Sequence, residues 1–86
     1  MARYEVEIVR SAEKQLRRLP PTDRERAVST IASLATNPLP KGVRKPSGYD
    51  DVFRVRFGRY RVLYSISEQT LTILILKVGH RRSVYR

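Results

Sequence analysis

Residues 52–64 read VFRVRFGRYRVLY, and this stretch decides how the chain folds. Apolar and basic side chains alternate up to Phe57, which is typical of a strand with one buried face. The alternation resumes at Tyr60, after the dipeptide Gly58-Arg59. Glycine at the first central position of a two-residue loop favours a type II′ turn. The stretch therefore predicts two antiparallel strands that share one apolar face and one basic face.

The register of this predicted hairpin brings arginines together. Arg56 lies directly opposite Arg61, and Arg54 lies beside them, opposite Leu63. Like charges in direct opposition across two strands are destabilising. We therefore expect a sheet that keeps three guanidinium groups on one face to hold them for an anion.

Length and composition limit the possible classes of protein. The chain has 86 residues, of which 41% are hydrophobic, and this predicts a single domain over residues 1–86 with a small core. It has no cysteine and one histidine, so we expect no disulfide, no metal site and no cofactor. No apolar run reaches the length of a signal peptide or a membrane span. We therefore expect a cytoplasmic protein with no membrane contact.

The positive charge of the chain is concentrated in its second half. The formal net charge is +10, and residues 1–40 contribute only +2 of it (seven Lys/Arg, five Asp/Glu). Residues 41–86 contribute +8 (eleven Lys/Arg, three Asp/Glu). Such a basic half points to a polyanion, most commonly nucleic acid. A solvated basic surface or an acidic protein partner would produce the same composition.

The remaining segments predict an α+β fold. Residues 4–8 alternate as a short half-buried strand, and two helices follow, with an N-cap at Ser11 and a capping box over residues 22–25. Residues 71–78 are almost unbroken in apolar side chains, as in a central strand. The order β-α-α-β-β-β, with or without a last short strand, predicts a twisted, mostly antiparallel sheet with a two-helix hairpin on one face. The predicted core residues of the helices are Ala12, Leu16, Leu19, Ala27, Val28, Ile31, Leu34 and Ala35.

One group of side chains is suited to phosphate chemistry. Arginine forks match phosphate oxygens in two-point contacts. Histidine ordinarily titrates near neutral pH, and a tyrosine can stack on a base or move a proton. Such a cluster can stabilise a phosphodiester as its phosphorus becomes five-coordinate, with an RNA 2′-hydroxyl as nucleophile. A purely structural role for the histidine stays open. The group consists of Arg54, Arg56, Arg61, His80, Arg81, Arg82 and Tyr85.

The loop over residues 39–51 adds three further cations, Lys41, Arg44 and Lys45, among proline and glycine residues. These cations either form a basic rim that binds a phosphate backbone or belong to an ordinary solvated loop. Both interpretations are compatible with the sequence.

Two segments, FRVRFGRYRVLYSI (53–66) and LTILILKVGHRRSVYR (71–86), resemble the RelE family of bacterial toxins. The resemblance covers nearly the whole chain, including the helix SAEKQLRRLP (11–20), and GRYRVLY and VGHRRSVY are specific to the wider RelE/ParE superfamily. It implies a RelE-like fold and a toxin that cleaves mRNA in the ribosomal A site. It also implies the ribosome, mRNA and a neutralising RelB-like acidic antitoxin as partners.

The resemblance also implies roles for individual residues. Arg54 and Arg56 fall where RelE enzymes hold RNA, although the best-known RelE pattern has lysines there. Arginine stays charged, so the role of base passes to Tyr85 or His80. We expect Arg81 to stabilise the transition state. The implied catalytic residues are Arg61, Arg81, Tyr85 and His80.

The sister branch of the superfamily, ParE, offers an alternative function. ParE toxins share the fold but poison DNA gyrase and generally lack the catalytic set. Fold alone does not decide between the two. This chain has residues of the RelE type at five positions of that set, which favours RNA cleavage. The five are Arg54, Arg56, Arg61, Arg81 and Tyr85.

Overall fold

The computed structural model describes residues 3–39 and 52–80. The strand β1 is followed by two helices and then by three further strands, which is the α+β order that the sequence predicts. The elements are β1 (Glu5–Ile8), α1 (Arg10–Arg17), α2 (Pro21–Leu34), β2 (Val52–Phe57), β3 (Tyr60–Ser67) and β4 (Thr72–His80).

The four strands form one mixed sheet in the order β1-β4-β3-β2. The pairs β2–β3 and β3–β4 are antiparallel, and β1 runs parallel to β4. The mostly antiparallel sheet is therefore confirmed. Strand β4 lies between β1 and β3, which confirms the central position predicted from its apolar run. The segment where the sequence left open a last short strand lies outside the described residues.

The β2–β3 hairpin has the predicted register. Phe57 pairs with Tyr60 and Arg56 pairs with Arg61. Gly58 has a φ of 55°. The second turn residue, Arg59, does not have a positive φ, since Leu71 is the one non-glycine residue that does among those described. Positive φ at the first central position alone is the signature of a type II′ turn. The two rings beside the turn, those of Phe57 and Tyr60, stack with centroids 5.5 Å apart.

The core lies between the helices and one face of the sheet. Val28 is the exception among the predicted helical core residues, because 53% of it is exposed. Helix α2 meets the sheet through Ala27, Ile31 and Leu34, spaced at i, i+4 and i+7, and this stripe turns Val28 outward. The buried core residues are Ala12, Leu16, Leu19, Ala27, Ile31, Leu34, Ala35, Phe57, Val62, Tyr64, Ile73, Ile75 and Val78.

Both predicted helix starts are wrong. Helix α1 begins at Arg10 with Val9 as N-cap, not at Ser11, because the Val9 N–H donates to the Ile75 carbonyl at 3.0 Å. The Val9 carbonyl then accepts the Glu13 N–H at 3.0 Å, so the helix starts directly at the end of the sheet.

Helix α2 begins at Pro21, ahead of the predicted capping box over residues 22–25. Proline is favoured at the first helical position, where its missing N–H leaves no bond unmade. The Pro20 carbonyl accepts the Arg24 N–H at 2.8 Å and so closes the first turn.

Tyr64 connects the sheet to the segment after α2. Its side chain is fully buried, and its hydroxyl donates to the Pro38 carbonyl at 2.7 Å. Burial raises the pKa of Tyr64 from 10.0 to about 12. The folded protein therefore favours the neutral phenol.

We predict that Tyr64→Phe will lower the free energy of unfolding at pH 7 by about 1–3 kcal/mol, because the Pro38 carbonyl loses its donor. In the wild type, the stability linked to the neutral phenol is complete below pH 10 and is lost as the pH rises towards 12. The free energy of unfolding of the variant should therefore decrease less steeply than that of the wild type between pH 10 and about pH 12. Urea denaturation at a series of pH values measures both effects, and parallel pH profiles would contradict the second.

We predict that Gly58→Ala will destabilise the protein by about 1–2 kcal/mol, because an L-residue is strained at a φ of 55°. A Cβ at this position would lie 3.7 Å from Arg26 Nη1, which is ordinary contact, so strain rather than a clash sets the cost. Gly58→Asn should cost less, since asparagine tolerates this turn position. Thermal melts of the three proteins test the order; equal losses for both substitutions would argue against backbone strain.

Candidate functional site

The sheet face that points away from the helices carries the cations of the hairpin. Arg54 and Arg56 of β2 alternate with core residues, and Arg61 of β3 lies opposite Arg56. On β4, Lys77 pairs with Leu63, the residue opposite Arg54. We call the set Arg54, Arg56, Arg61 and Lys77 the basic face.

Two rows of cross-strand partners make up this face. In the first row, Arg54, Leu63 and Lys77 lie side by side, and all three are half-buried. Directly opposed residues have Cβ atoms about 4.5–5.5 Å apart. An apolar side chain therefore separates two cations, and the aliphatic stems of both can lie along it.

In the second row, Arg56 and Arg61 lie side by side, and Gly79 follows on β4. Arg56 is exposed, and Arg61 is half-buried. Because glycine has no side chain, the β4 side of Arg61 carries no cross-strand side chain in this row. The row therefore presents two guanidinium groups beside bare backbone, an arrangement that suits a phosphate.

A register shift in the β3–β4 ladder decides which β4 residues reach the basic face. Tyr64 pairs with Ile75, but its neighbour Leu63 pairs with Lys77, so β4 contains one extra residue. Such a β-bulge reverses the alternation beyond it. Lys77 therefore lies on the basic face, and Val78 enters the core.

Sequence reasoning did not include Lys77 among the site residues. Strict alternation from Ile75 would place Lys77 on the helix side of the sheet, among core residues. A signal was present nonetheless: a lysine is almost never fully buried without a partner. A single cation within an apolar central strand therefore indicates that the alternation breaks near it.

The structure places His80 on the side of the sheet that faces the helices. His80 pairs with Tyr60, and their rings meet edge to face with centroids 5.9 Å apart. Tyr60 belongs to the apolar face of the hairpin, where it stacks on Phe57. The structure thus does not bring His80 onto the basic face.

Tyr60 adds a second polar group beside His80. Burial, a hydrogen bond to the Asp23 carboxylate and the charge of that carboxylate all raise the pKa of Tyr60, while Arg59 lowers it. Asp23 lies in the first turn of α2. The aromatic partner of His80 on this side of the sheet is therefore itself bonded to a carboxylate of α2.

Six other predicted site residues lie outside the described residues: Lys41, Arg44, Lys45, Arg81, Arg82 and Tyr85. Within residues 3–39 and 52–80, no three His, Asp or Glu side chains are grouped closely enough to hold a metal ion. No helix in the same part of the chain is long and apolar enough to cross a membrane.

The sequence of the chain is similar to those of known toxins. The family model described as the ParE toxin of the type II toxin–antitoxin system parDE matches residues 6–85. A Methanocaldococcus jannaschii protein designated toxin RelE1 is 34% identical over 98% of this chain and 97% of its own length. The protein is a RelE-family toxin. Its resemblance to RelE at the level of sequence is thereby confirmed.

Solved RelE structures share the fold. The RelE–RelB complex of Pyrococcus horikoshii contains a chain with a TM-score of 0.81 and 33% identity, covering 93% of this chain and 97% of that one. The RelBE2 toxin–antitoxin complex of Mycobacterium tuberculosis gives a TM-score of 0.79 at 32% identity, covering 93% and 100%. The RelE-like fold expected from the sequence is therefore confirmed.

We predict that Arg56→Gln will raise the free energy of unfolding by about 0.2–1 kcal/mol at low ionic strength, because it removes a like charge opposite Arg61. Added salt should shrink the gain, since it screens exposed charges. Arg18→Gln, at an exposed arginine after α1, is the matched control and should not stabilise. Denaturant unfolding at low and high KCl measures the difference. A loss of stability in Arg56→Gln would show that the pair is not repulsive.

Proposed function

We propose that this RelE-family toxin is a metal-independent endoribonuclease that cleaves mRNA in the ribosomal A site and so inhibits translation. The observation that carries the proposal is the basic face, on which the hairpin register places three arginines together, with Arg56 directly opposite Arg61. Such a group of guanidinium groups on one sheet face can bind an anion in several two-point contacts. A phosphodiester is the anion that fits arginine forks.

In the proposed reaction the RNA 2′-oxygen loses its proton and attacks the neighbouring phosphorus. The bond to the 5′-oxygen breaks, and this leaving oxygen takes up a proton from water. The products are a 2′,3′-cyclic phosphate and a 5′-hydroxyl end. Arg54 and Arg56 hold the RNA backbone. Arg61 and Arg81 stabilise the extra negative charge on the five-coordinate phosphorus.

We assign the proton transfer from the 2′-hydroxyl to Tyr85 rather than to His80. His80 lies opposite Tyr60 on the other side of the sheet from Arg61, which argues against its reaching the same phosphate. Arginine is a poor base because it stays protonated. The ribosome then contributes by placing the 2′-hydroxyl in line with the bond that breaks.

The expected partner in the cell is a RelB-like acidic antitoxin. The similar structures from Pyrococcus horikoshii and Mycobacterium tuberculosis are toxin–antitoxin complexes. The +8 charge of residues 41–86 suits an acidic partner that covers the basic face and excludes RNA from it. A substrate on the ribosome places the toxin in the cytoplasm.

The alternative is a ParE-like toxin that poisons DNA gyrase without nuclease activity. It is favoured by one observation, the match of residues 6–85 to the family model that carries the ParE description. This alternative gives the three arginines of the basic face no catalytic task. Substitution of Tyr85 or Arg61 would then leave toxicity unchanged.

We predict that the wild-type protein will cut mRNA within the A-site codon in a purified translation system. Arg61→Ala should lose on the order of 100-fold or more in rate, as expected for removal of a group that stabilises transition-state charge. Tyr85→Phe should also be inactive, and His80→Ala should retain most activity. Arg18→Ala, an exposed arginine on the helix side, is the control and should cut like the wild type.

Primer extension with and without ribosomes reads out the cuts, and a gyrase supercoiling assay is run on the same proteins. Intact mRNA together with inhibited gyrase would replace the proposal with the ParE-like alternative. Inactivity of His80→Ala with full activity of Tyr85→Phe would reverse the assignment of the base.

A further inference from the structure

Lys77 is the cation that the β-bulge adds to the basic face. The bulge lies between Leu63 and Tyr64, and without it Lys77 would occupy a core position. The extra residue also brings Val78 into the core, where 1% of it is exposed. The β-bulge therefore places Val78 in the core and Lys77 on the basic face.

The position of Lys77 extends the basic face across three strands. Lys77 lies beyond Leu63 in the row that begins with Arg54, so two strand spacings, about 10 Å, separate the two cations. Arg61 lies on the strand between them. A phosphate bound at Arg61 thus has cations on both sides, from β2 and from β4.

The chemistry of lysine suits this place. A flexible stem ends in a compact charge with three donors, which can follow a phosphate backbone without the planar geometry that a guanidinium imposes. Lys77 is half-buried and lies beside Leu63 in the ladder, and a lysine can lay its aliphatic stem along an apolar neighbour while its charged end stays at the surface.

We infer that Lys77 binds an RNA phosphate on the β4 side of Arg61 and positions the strand there, opposite the contacts of Arg54 and Arg56. This inference rests on the proposed function, since it assigns a further contact to the same substrate. The basic face then tracks an RNA backbone from β2 to β4 across the sheet. A phosphate contact of this kind sets affinity and register and carries no base preference.

The test is the binding of labelled toxin to ribosomes whose mRNA carries 2′-deoxyribose in the A-site codon. This substitution removes the nucleophile, so binding is measured without cleavage. Wild type is compared with Lys77→Gln and Lys77→Arg over a series of KCl concentrations. Lys14→Gln is the matched control, an exposed lysine in the last turn of α1 on the helix side.

We predict weaker binding for Lys77→Gln and a salt dependence of log affinity that is shallower by about 0.7, the value for one phosphate contact on a single strand. Lys77→Arg should restore both, and Lys14→Gln should match the wild type. Cleavage of an all-ribose mRNA by Lys77→Gln should show a raised KM with little change in kcat. A merely structural role would not alter the salt slope.

A second arm uses mRNA that ends before the A site. If the effect of Lys77→Gln disappears there, the phosphate belongs to the mRNA, as inferred. If Lys77→Gln still weakens binding, the phosphate belongs to ribosomal RNA, and the inferred contact with the substrate is overturned.

The inference is overturned if Lys77→Gln matches Lys14→Gln in affinity and salt slope, or if Lys77→Arg fails to restore them. If the wild type binds more tightly than Lys77→Gln but cleaves no mRNA, the proposed function fails and the inferred phosphate contact stands. A wild type that does not bind ribosomes would overturn both.

Discussion

The register of the β2–β3 hairpin is the constraint on which the rest of the structure depends. Gly58 takes a φ of 55° and closes a two-residue turn, so each residue of β2 has one partner in β3. Because side chains alternate along a strand, this register assigns the rings to the helix side and the arginines to the other side. A slip of one residue would bury the arginines. The same local geometry therefore builds the core and the candidate site.

The β3–β4 bulge is the second constraint. The hairpin register depends on unbroken alternation of side chains, whereas the bulge interrupts that alternation. Continuous alternation along β4 would place Lys77 in the core, where an unpaired charge is costly, and Val78 in solvent. One extra residue exchanges their positions. Bulges commonly redirect side chains next to functional sites. Here the redirection gives the toxin a cation on β4 and moves the next residues along the strand as well, so that His80 pairs with Tyr60.

Membership of the RelE family and the choice between RNA and gyrase are separate questions. The family rests on similarity along nearly the whole chain and on a shared fold. We propose the target from the side chains of one sheet face, because fold alone does not decide function. Cations gathered across β2, β3 and β4 favour a phosphate backbone. The location of His80 on the helix side shifts the proposed proton transfer to Tyr85.

The spacing of hydrophobic residues, every two in strands and every 3.6 in helices, was sufficient to predict the hairpin and its register. It also predicted the central strand β4 and most of the helical core, because these features depend on local periodicity. The resemblance to RelE supplied the family and the candidate roles. The tertiary structure alone decided the exposure of Val28, since that depends on which stripe of α2 meets the sheet. It decided the start of α1, since the hydrogen bond from Val9 to β4 overrides a side-chain cap. The start of α2 follows from the local preference for proline at the first helical position, which the sequence prediction did not apply. The tertiary structure also decided the faces of Lys77 and His80, because a bulge arises from the fit between two strands distant in sequence.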